Sequence, residues 1–209
     1  MLILVGLGNP EPKYFGNRHN LGFRAVDVIA DRWSFGTERK RFQSLAREGQ
    51  IPTPGGAVRA LILKPQTFYN NSGHAVGEAV GFYKIDPAEV VVFYDEIDLA
   101  PGRFRLKHGG GAAGNNGVRS VTAQIGPHFR RARLGVGHPG HKDRVMGHVL
   151  SDFHKVDQGW VDDLCRACAD ALPLLAAGED EKYQAEVMRL APAEKLDPRA
   201  APRGPDQAQ

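Results

Sequence analysis

The chain has almost no cysteine: Cys165 and Cys168 are the only two in 209 residues. They cannot build a disulfide framework, which points to a reducing, cytoplasmic setting. Long apolar runs are also missing. No stretch approaches the roughly 20 residues that a membrane helix needs, and Met1 leads straight into a short strand-like run. The expectation is a soluble protein with no cleaved signal and no membrane association.

Several nucleotide and nucleophile signatures are lacking as well. Gly6-Leu7-Gly8-Asn9-Pro10-Glu11 would need glycine at 11 to match the dinucleotide fingerprint. The loop Gly109–Gly114 suits a phosphate through its backbone amides, but no Gly-Lys-Ser/Thr follows it, which excludes a P-loop. There is no Gly-x-Ser-x-Gly elbow. Cys165 and Cys168 have redox or zinc spacing, yet they fall inside a predicted helix without a second ligand pair, so a buried helix face is the reading and no metal is expected. His138-Pro139-Gly140-His141 fits a mobile loop as well as it fits a metal. No internal repeat or linker divides the chain.

What is present is an alternation of apolar strands and amphipathic helices. Strands are expected at 2–7, 43–48, 58–64, 90–94, 103–107 and 131–136. Helices are expected at 20–33, with Asn20 as N-cap, at 72–83, around 118–125, from 157 to 177 and from 179 to 190. This order predicts a single α/β domain over 1–190, and the Pro-, Ala- and charge-rich residues 191–209 read as a disordered tail. The formal charge is only +3 but unevenly spread. Pro101–Leu150 holds nine Lys or Arg against the single acid Asp143, while Ser151–Glu186 holds nine acids against three bases. The basic stretch fits a polyanion such as nucleic acid, or an uneven solvated surface.

Polar residues recur just after strand ends: Asn9 and His19 after the first, Asn70 after 58–64, Asp95 after 90–94 and Asn116 after 103–107. In a largely parallel sheet those ends share one edge, where α/β proteins bind ligands. An aspartate bonded to one imidazole nitrogen leaves the other free to take a proton from water, and carboxamides can hold a peptide backbone or polarise a carbonyl. Such a set suits hydrolysis of an activated acyl bond without a covalent intermediate. Singly, each has an ordinary reading: His19 as a surface or capping residue, Asp95 as a loop carboxylate, each Asn as a turn residue.

The motifs Val5-Gly-Leu-Gly-Asn-Pro10, Tyr14, Arg18-His19-Asn20, Thr67-Phe68-x-Asn70, Asp95-Glu-x-Asp-Leu99, Gly114-x-Asn116-Gly117 and Gly135-x-Gly-His-Pro-Gly140 resemble those of bacterial-type peptidyl-tRNA hydrolases, in order and spacing, up to about residue 190. The resemblance implies a monomeric αβα sandwich around a twisted, mixed, largely parallel sheet, with no metal or organic cofactor and no obligatory protein partner. It implies cleavage of the ester between a peptide and the 3′ ribose of tRNA. On this resemblance His19 is the general base, Asp95 orients it, and Asn116 positions the carbonyl or water. Asn9 and Asn70 bind the peptide, and Tyr14 lines the site near the ester; Tyr69, beside Asn70, falls at the same substrate-binding surface, which its bulk narrows. Lys107 and Arg133 hold the tRNA 5′ phosphate, with Arg105 and Arg119 as auxiliaries, and 137–150 forms a lid.

The sequence departs from that pattern at five places near the site. Tyr69 stands where Met is usual, Asn71 where an apolar residue is usual, Tyr94 where His precedes the aspartate, and Ala112 and Asn115 where His is frequent. The departures predict hydrolysis with altered rate or peptide preference. They also motivate an alternative, an RNA-binding protein on the same fold that has lost turnover; a third reading is an esterase or amidase for small acyl substrates.

Overall fold

A computed structural model describes residues 1–193. The expected tail lies outside the described residues except for 191–193, of which Ala191 is buried and bonded through its backbone N–H to Val187. Seven strands form one sheet: β1 (Leu2–Gly6), β2 (Arg39–Arg41), β3 (Ser44–Ile51), β4 (Val58–Pro65), β5 (Val90–Glu96), β6 (Phe104–His108) and β7 (Arg130–Gly135), in the order β2-β3-β4-β1-β5-β7-β6. The central four, β4, β1, β5 and β7, are parallel, while the β2–β3 hairpin and β6 run antiparallel at the margins.

The helices are α1 (Leu21–Arg32), α2 (Ser72–Tyr83), α3 (Asn116–Ile125), α4 (Val145–Val149), α5 (Gln158–Asp170), α6 (Leu172–Ala176) and α7 (Asp180–Leu190). Those named α1, α5, α6 and α7 cover one face through a core that includes Leu4, Ile29, Phe93, Phe104, Leu164 and Tyr183. On the other face α2 and α3 pack over Val5, Leu63, Val92 and Phe129. Being covered on both sides explains why β1 and β5 are apolar at nearly every position and fully buried, rather than alternating.

Three expectations are corrected. The hairpin strand β2 was not anticipated. It is short and charged, and its two-residue turn is built from Phe42 and Gln43, at φ 53° and 48°, instead of the asparagine and glycine that usually mark such turns. The helix expected over 157–177 is divided between Asp170 and Leu172, where Pro173 starts a new short helix. Asn20 does stand at the N-cap position of α1, but its side chain makes no capping bond there, because its amide is used elsewhere.

Candidate active site

The chain runs from β1 through α1 to β4 on one side, then returns to β5 on the other side of β1. This reversal opens a crevice beyond the carboxyl ends of the central strands, the place where open α/β sheets bind ligands. A cavity of about 700 Å³ occupies it. Asn9, Tyr14, His19, Tyr69, Asn70, Asp95 and Asn116 all line it, joined by Phe68, Met146 and Leu150. Six of these reach it from three central strand ends. Asn116 arrives differently from expectation: β6 is antiparallel and ends at the opposite edge, so the 109–115 loop crosses back and Asn116 opens α3.

His19 sits in a single 3₁₀ turn, Arg18–Asn20, at the head of α1. The first turn of α1 can press against the backbone of the sheet because residue 22 is glycine; a Cβ there would lie 2.6 Å from the Leu7 nitrogen. That close approach brings His19 Nδ1 to 3.0 and 2.9 Å from the two Asp95 carboxylate oxygens. A carboxylate only accepts, so Nδ1 carries the proton and Nε2 is the free nitrogen. The Asp95 side chain is 2% exposed and that of His19 18%, which leaves the base reachable and its partner shielded from water.

The neighbours of His19 in the chain each hold a wall of the site. The Asn20 side chain accepts from the Asn9 backbone N–H and donates to its carbonyl, both at 2.9 Å, which pins the loop after β1. Arg18 donates to the Ser151 hydroxyl and the Asp152 carbonyl, each at 2.8 Å, and reaches Asp157 at 3.3 Å, so it anchors the chain just beyond α4. Burial pulls the Arg18 guanidinium below its ordinary range, and Asp157 works against that shift. The expected lid, 137–150, forms a wall of the cavity through His138, Lys142, Val145, Met146, Val149 and Leu150.

Asn9 has a defined amide orientation. Its Oδ1 accepts the Tyr69 backbone N–H at 3.1 Å, leaving the side-chain NH₂ as the group available to a ligand. Tyr69 itself is buried, stacked on His19 with ring centroids 3.5 Å apart and planes 15° apart. Its hydroxyl donates to Asp95 Oδ1 at 3.1 Å and accepts from Asn115 Nδ2 at 3.0 Å. Asn70 and Asn116 are exposed at the cavity and free to meet a ligand.

The cationic candidates Arg105, Lys107, Arg119 and Arg133 lie outside the cavity wall, on β6, β7 and α3. Register places Arg105 opposite Arg133 and Lys107 opposite Arg131, so these two pairs share one face of the β6–β7 ribbon. Arg131 is buried and donates to the Gly110 and Gly111 carbonyls, each at 2.6 Å; the glycine-rich loop therefore turns carbonyls toward it. Arg133 pairs with Glu96 at 2.9 Å. Burial opposes its charge, but the bonded carboxylate outweighs that and holds the guanidinium above its ordinary range. Arg130 is also structural, bonded to Asp180 at 3.0 Å, so the nine cations counted along this segment are not nine surface charges.

Asn20, Arg18, Glu96 and Asn115 matter to the site and were not singled out for these roles by the sequence. The adjacency of Arg18 and Asn20 to His19 and the departure at Asn115 are visible in the sequence; the bonds that give the four their roles join residues 11 to 139 apart. Cys165 and Cys168 are free and buried in α5, as expected; burial pushes the Cys165 thiol up to about 12 and that of Cys168 higher still.

Comparison with known proteins agrees with this geometry. The family model described as peptidyl-tRNA hydrolase matches residues 3–195. The chain is 71% identical to a peptidyl-tRNA hydrolase of Phenylobacterium zucineum over 98% of both chains, and 66% identical to one of Caulobacter vibrioides over 95% of this chain and 97% of the other. The crystal structure of peptidyl-tRNA hydrolase from Acinetobacter baumannii superposes with a TM-score of 0.85 at 36% identity, covering 92% of this chain and 97% of that one. By sequence, by fold and by the motifs gathered around its cavity, the chain belongs to the peptidyl-tRNA hydrolase family.

Proposed function

We propose that the protein hydrolyses the ester joining a peptide to the 3′ ribose of tRNA, with His19 as general base on water. The observation that carries this is the His19–Asp95 pair: a shielded carboxylate on Nδ1 and a free Nε2 at a cavity. Among the described residues lining the cavity none is serine or cysteine, which favours water over a side-chain nucleophile. Asp95 fixes the tautomer and balances the positive charge that His19 gains when it takes the proton. The NH₂ of Asn9, with Asn70, holds the peptide portion, Tyr14 lines the cavity beside the ester, and Asn116 polarises the ester carbonyl or positions the water. A general base contributes about 10²–10⁴-fold, and a carbonyl-polarising donor about 3–4 kcal/mol more.

Lys107 and Arg133 bind phosphate of the tRNA, aided by Arg105 and Arg119. Such contacts position a nucleic acid without reading its sequence and make binding salt-sensitive. The reading includes action as a monomer in the cytoplasm. No helix among the described residues is long and apolar enough to cross a membrane. The alternative of RNA binding without turnover rests on the departures at 69, 71, 94, 112 and 115. Two of these, Tyr69 and Asn115, bond toward the His19–Asp95 pair and leave it intact, which supports turnover.

Single-turnover release of an N-blocked amino acid from labelled peptidyl-tRNA tests the proposal. His19→Ala should slow release by about 10²–10⁴-fold while tRNA affinity stays unchanged. Equal rates in the two proteins would remove His19 from the mechanism, and salt-sensitive binding without release would favour the binding protein.

A further inference from the structure

We infer that Tyr69 and Asn115 act together as a proton-directing pair that fixes Asp95 against His19, which makes Tyr69 a positioning residue for the base rather than a contact for the peptide. The inference rests on the hydrolase reading and deepens it. Its starting point is that two of the five departures from the family pattern, 46 residues apart, are the two ends of one hydrogen bond.

The direction of that bond follows from the helix beside it. Asn115 caps α3, its Oδ1 accepting the Val118 N–H at 3.0 Å. The cap therefore turns the side-chain nitrogen toward the phenol, and an amide nitrogen only donates. The Tyr69 oxygen is consequently an acceptor from Asn115, and its single proton is committed to the remaining neighbour, Asp95 Oδ1. Asp95 thus receives two donors, the phenol and His19 Nδ1–H, and has no freedom to rotate away from the imidazole.

The ring is held as firmly as its hydroxyl. It stacks on the imidazole on one side. On another side it meets Gly117, where a Cβ would come within 2.5 Å of the Tyr69 ring. Burial, and then the Asp95 charge, drives the phenol well above its ordinary range, so it remains a donor throughout the working pH range. Its backbone N–H meanwhile sets the Asn9 amide, so one residue touches the base, its carboxylate and a peptide-binding side chain. Bulk at position 69 is thus packed against His19, and although Tyr69 stands in the cavity wall it is only 3% exposed.

The test is a cycle of Tyr69→Phe, Asn115→Ser and the double variant, assayed on peptidyl-tRNA, with ¹⁵N-histidine NMR of each free protein. Phenylalanine keeps the stack and loses the donor; serine keeps a helix cap and loses the amide. Tyr69→Phe should lower kcat about tenfold, as expected for one hydrogen bond to a charged group, with KM within about twofold. Asn115→Ser should lower kcat roughly two- to threefold alone and not at all in the Tyr69→Phe background, because its effect passes through the phenol. The His19 Nδ1–H resonance, assigned by its loss in His19→Ala, should move in Tyr69→Phe. Unchanged kcat with a peptide-dependent KM would make Tyr69 a peptide contact and overturn the inference, as would additive effects or an unmoved resonance. The resonance needs no turnover, so it tests the pair even if His19→Ala shows the hydrolase mechanism to be wrong.

Discussion

The carboxyl edge of the central strands and the β6–β7 margin are both polar, but they are built on opposite principles. At the carboxyl edge the groups that hold the base are committed one to the next, Asn20 to Asn9, Asn9 to Tyr69, Tyr69 to Asp95 and Asp95 to His19, while His19 Nε2, the Asn9 NH₂, Asn70 and Asn116 face the cavity. At the margin Arg105, Lys107 and Arg119 are exposed, and of the proposed phosphate-binding cations only Arg133 is fixed, by Glu96. The contrast follows from what each task demands. Moving a proton needs a donor and an acceptor held to fractions of an ångström, whereas attracting a polyanion needs charge at the surface and tolerates mobile side chains. Disturbing the first region should therefore change kcat, and disturbing the second should change affinity and its dependence on salt.

The largest break in that contrast is Asp95→Asn. The amide can offer an NH₂ to Nδ1 and so favour the tautomer in which Nε2 carries the proton and cannot act as a base. It also loses the charge that balances protonated His19. The expected loss is about 10²–10⁴-fold in kcat, with tRNA affinity and its salt slope unaltered. Rapid-mix single turnover alongside filter binding measures both, and an equal fall in affinity would dissolve the distinction between the regions.

Asn20→Ala comes next and acts one step from the chemistry. It strands the Asn9 backbone N–H and carbonyl, which lie in a buried residue and, among the described residues, are bonded only through that amide. Leaving two such groups unpaired costs about 2–4 kcal/mol of stability, read from urea unfolding. The freed loop carries the Asn9 side chain with it, and kcat/KM should drop by roughly one to two orders of magnitude. A variant as stable and active as the unaltered protein would show that Asn9 is held by other means.

The sequence disclosed these regions unequally. The central strands were legible because burial on both faces makes them continuous apolar runs, and their ends mark the site. The charged hairpin strand β2 was not, because neither its pattern nor its turn residues carry the usual signal. Asn116 reaches the site by a path that its place after 103–107 does not disclose, since the direction of β6 is set by its pairing with β7, more than 20 residues further on. Charge counting located the basic margin but overcounted it: Arg130 and Arg131 look like Arg105 in sequence, yet are consumed in holding Asp180 and the glycine-rich loop. Position 69 registered as bulk near the peptide, because the stacking of a tyrosine beneath His19 has no signature at the level of spacing.

The smallest effects separate two cations that the resemblance treats as one clamp. Lys107 is exposed, and among the described residues no carboxylate pairs with it. Arg133 is half-buried, and Glu96 already neutralises much of its charge. A free cation that neutralises a phosphate releases a counterion condensed on the tRNA, so Lys107→Ala should flatten the slope of log affinity against log salt by roughly one, weaken tRNA binding a few-fold, and leave unfolding midpoints in place. Arg133→Ala should flatten the slope less. It also leaves the Glu96 carboxylate, 7% exposed, with the Asp98 backbone N–H as its one bonding partner among the described residues, and should cost about 3 kcal/mol of stability that Arg133→Lys partly restores. Titrating labelled tRNA at several salt concentrations, with urea unfolding of the same variants, resolves the two. Equal slopes would mean that the Glu96 pair opens on binding and that Arg133 meets the phosphate as a free charge, and equal stabilities would mean that the pair contributes nothing to the free fold.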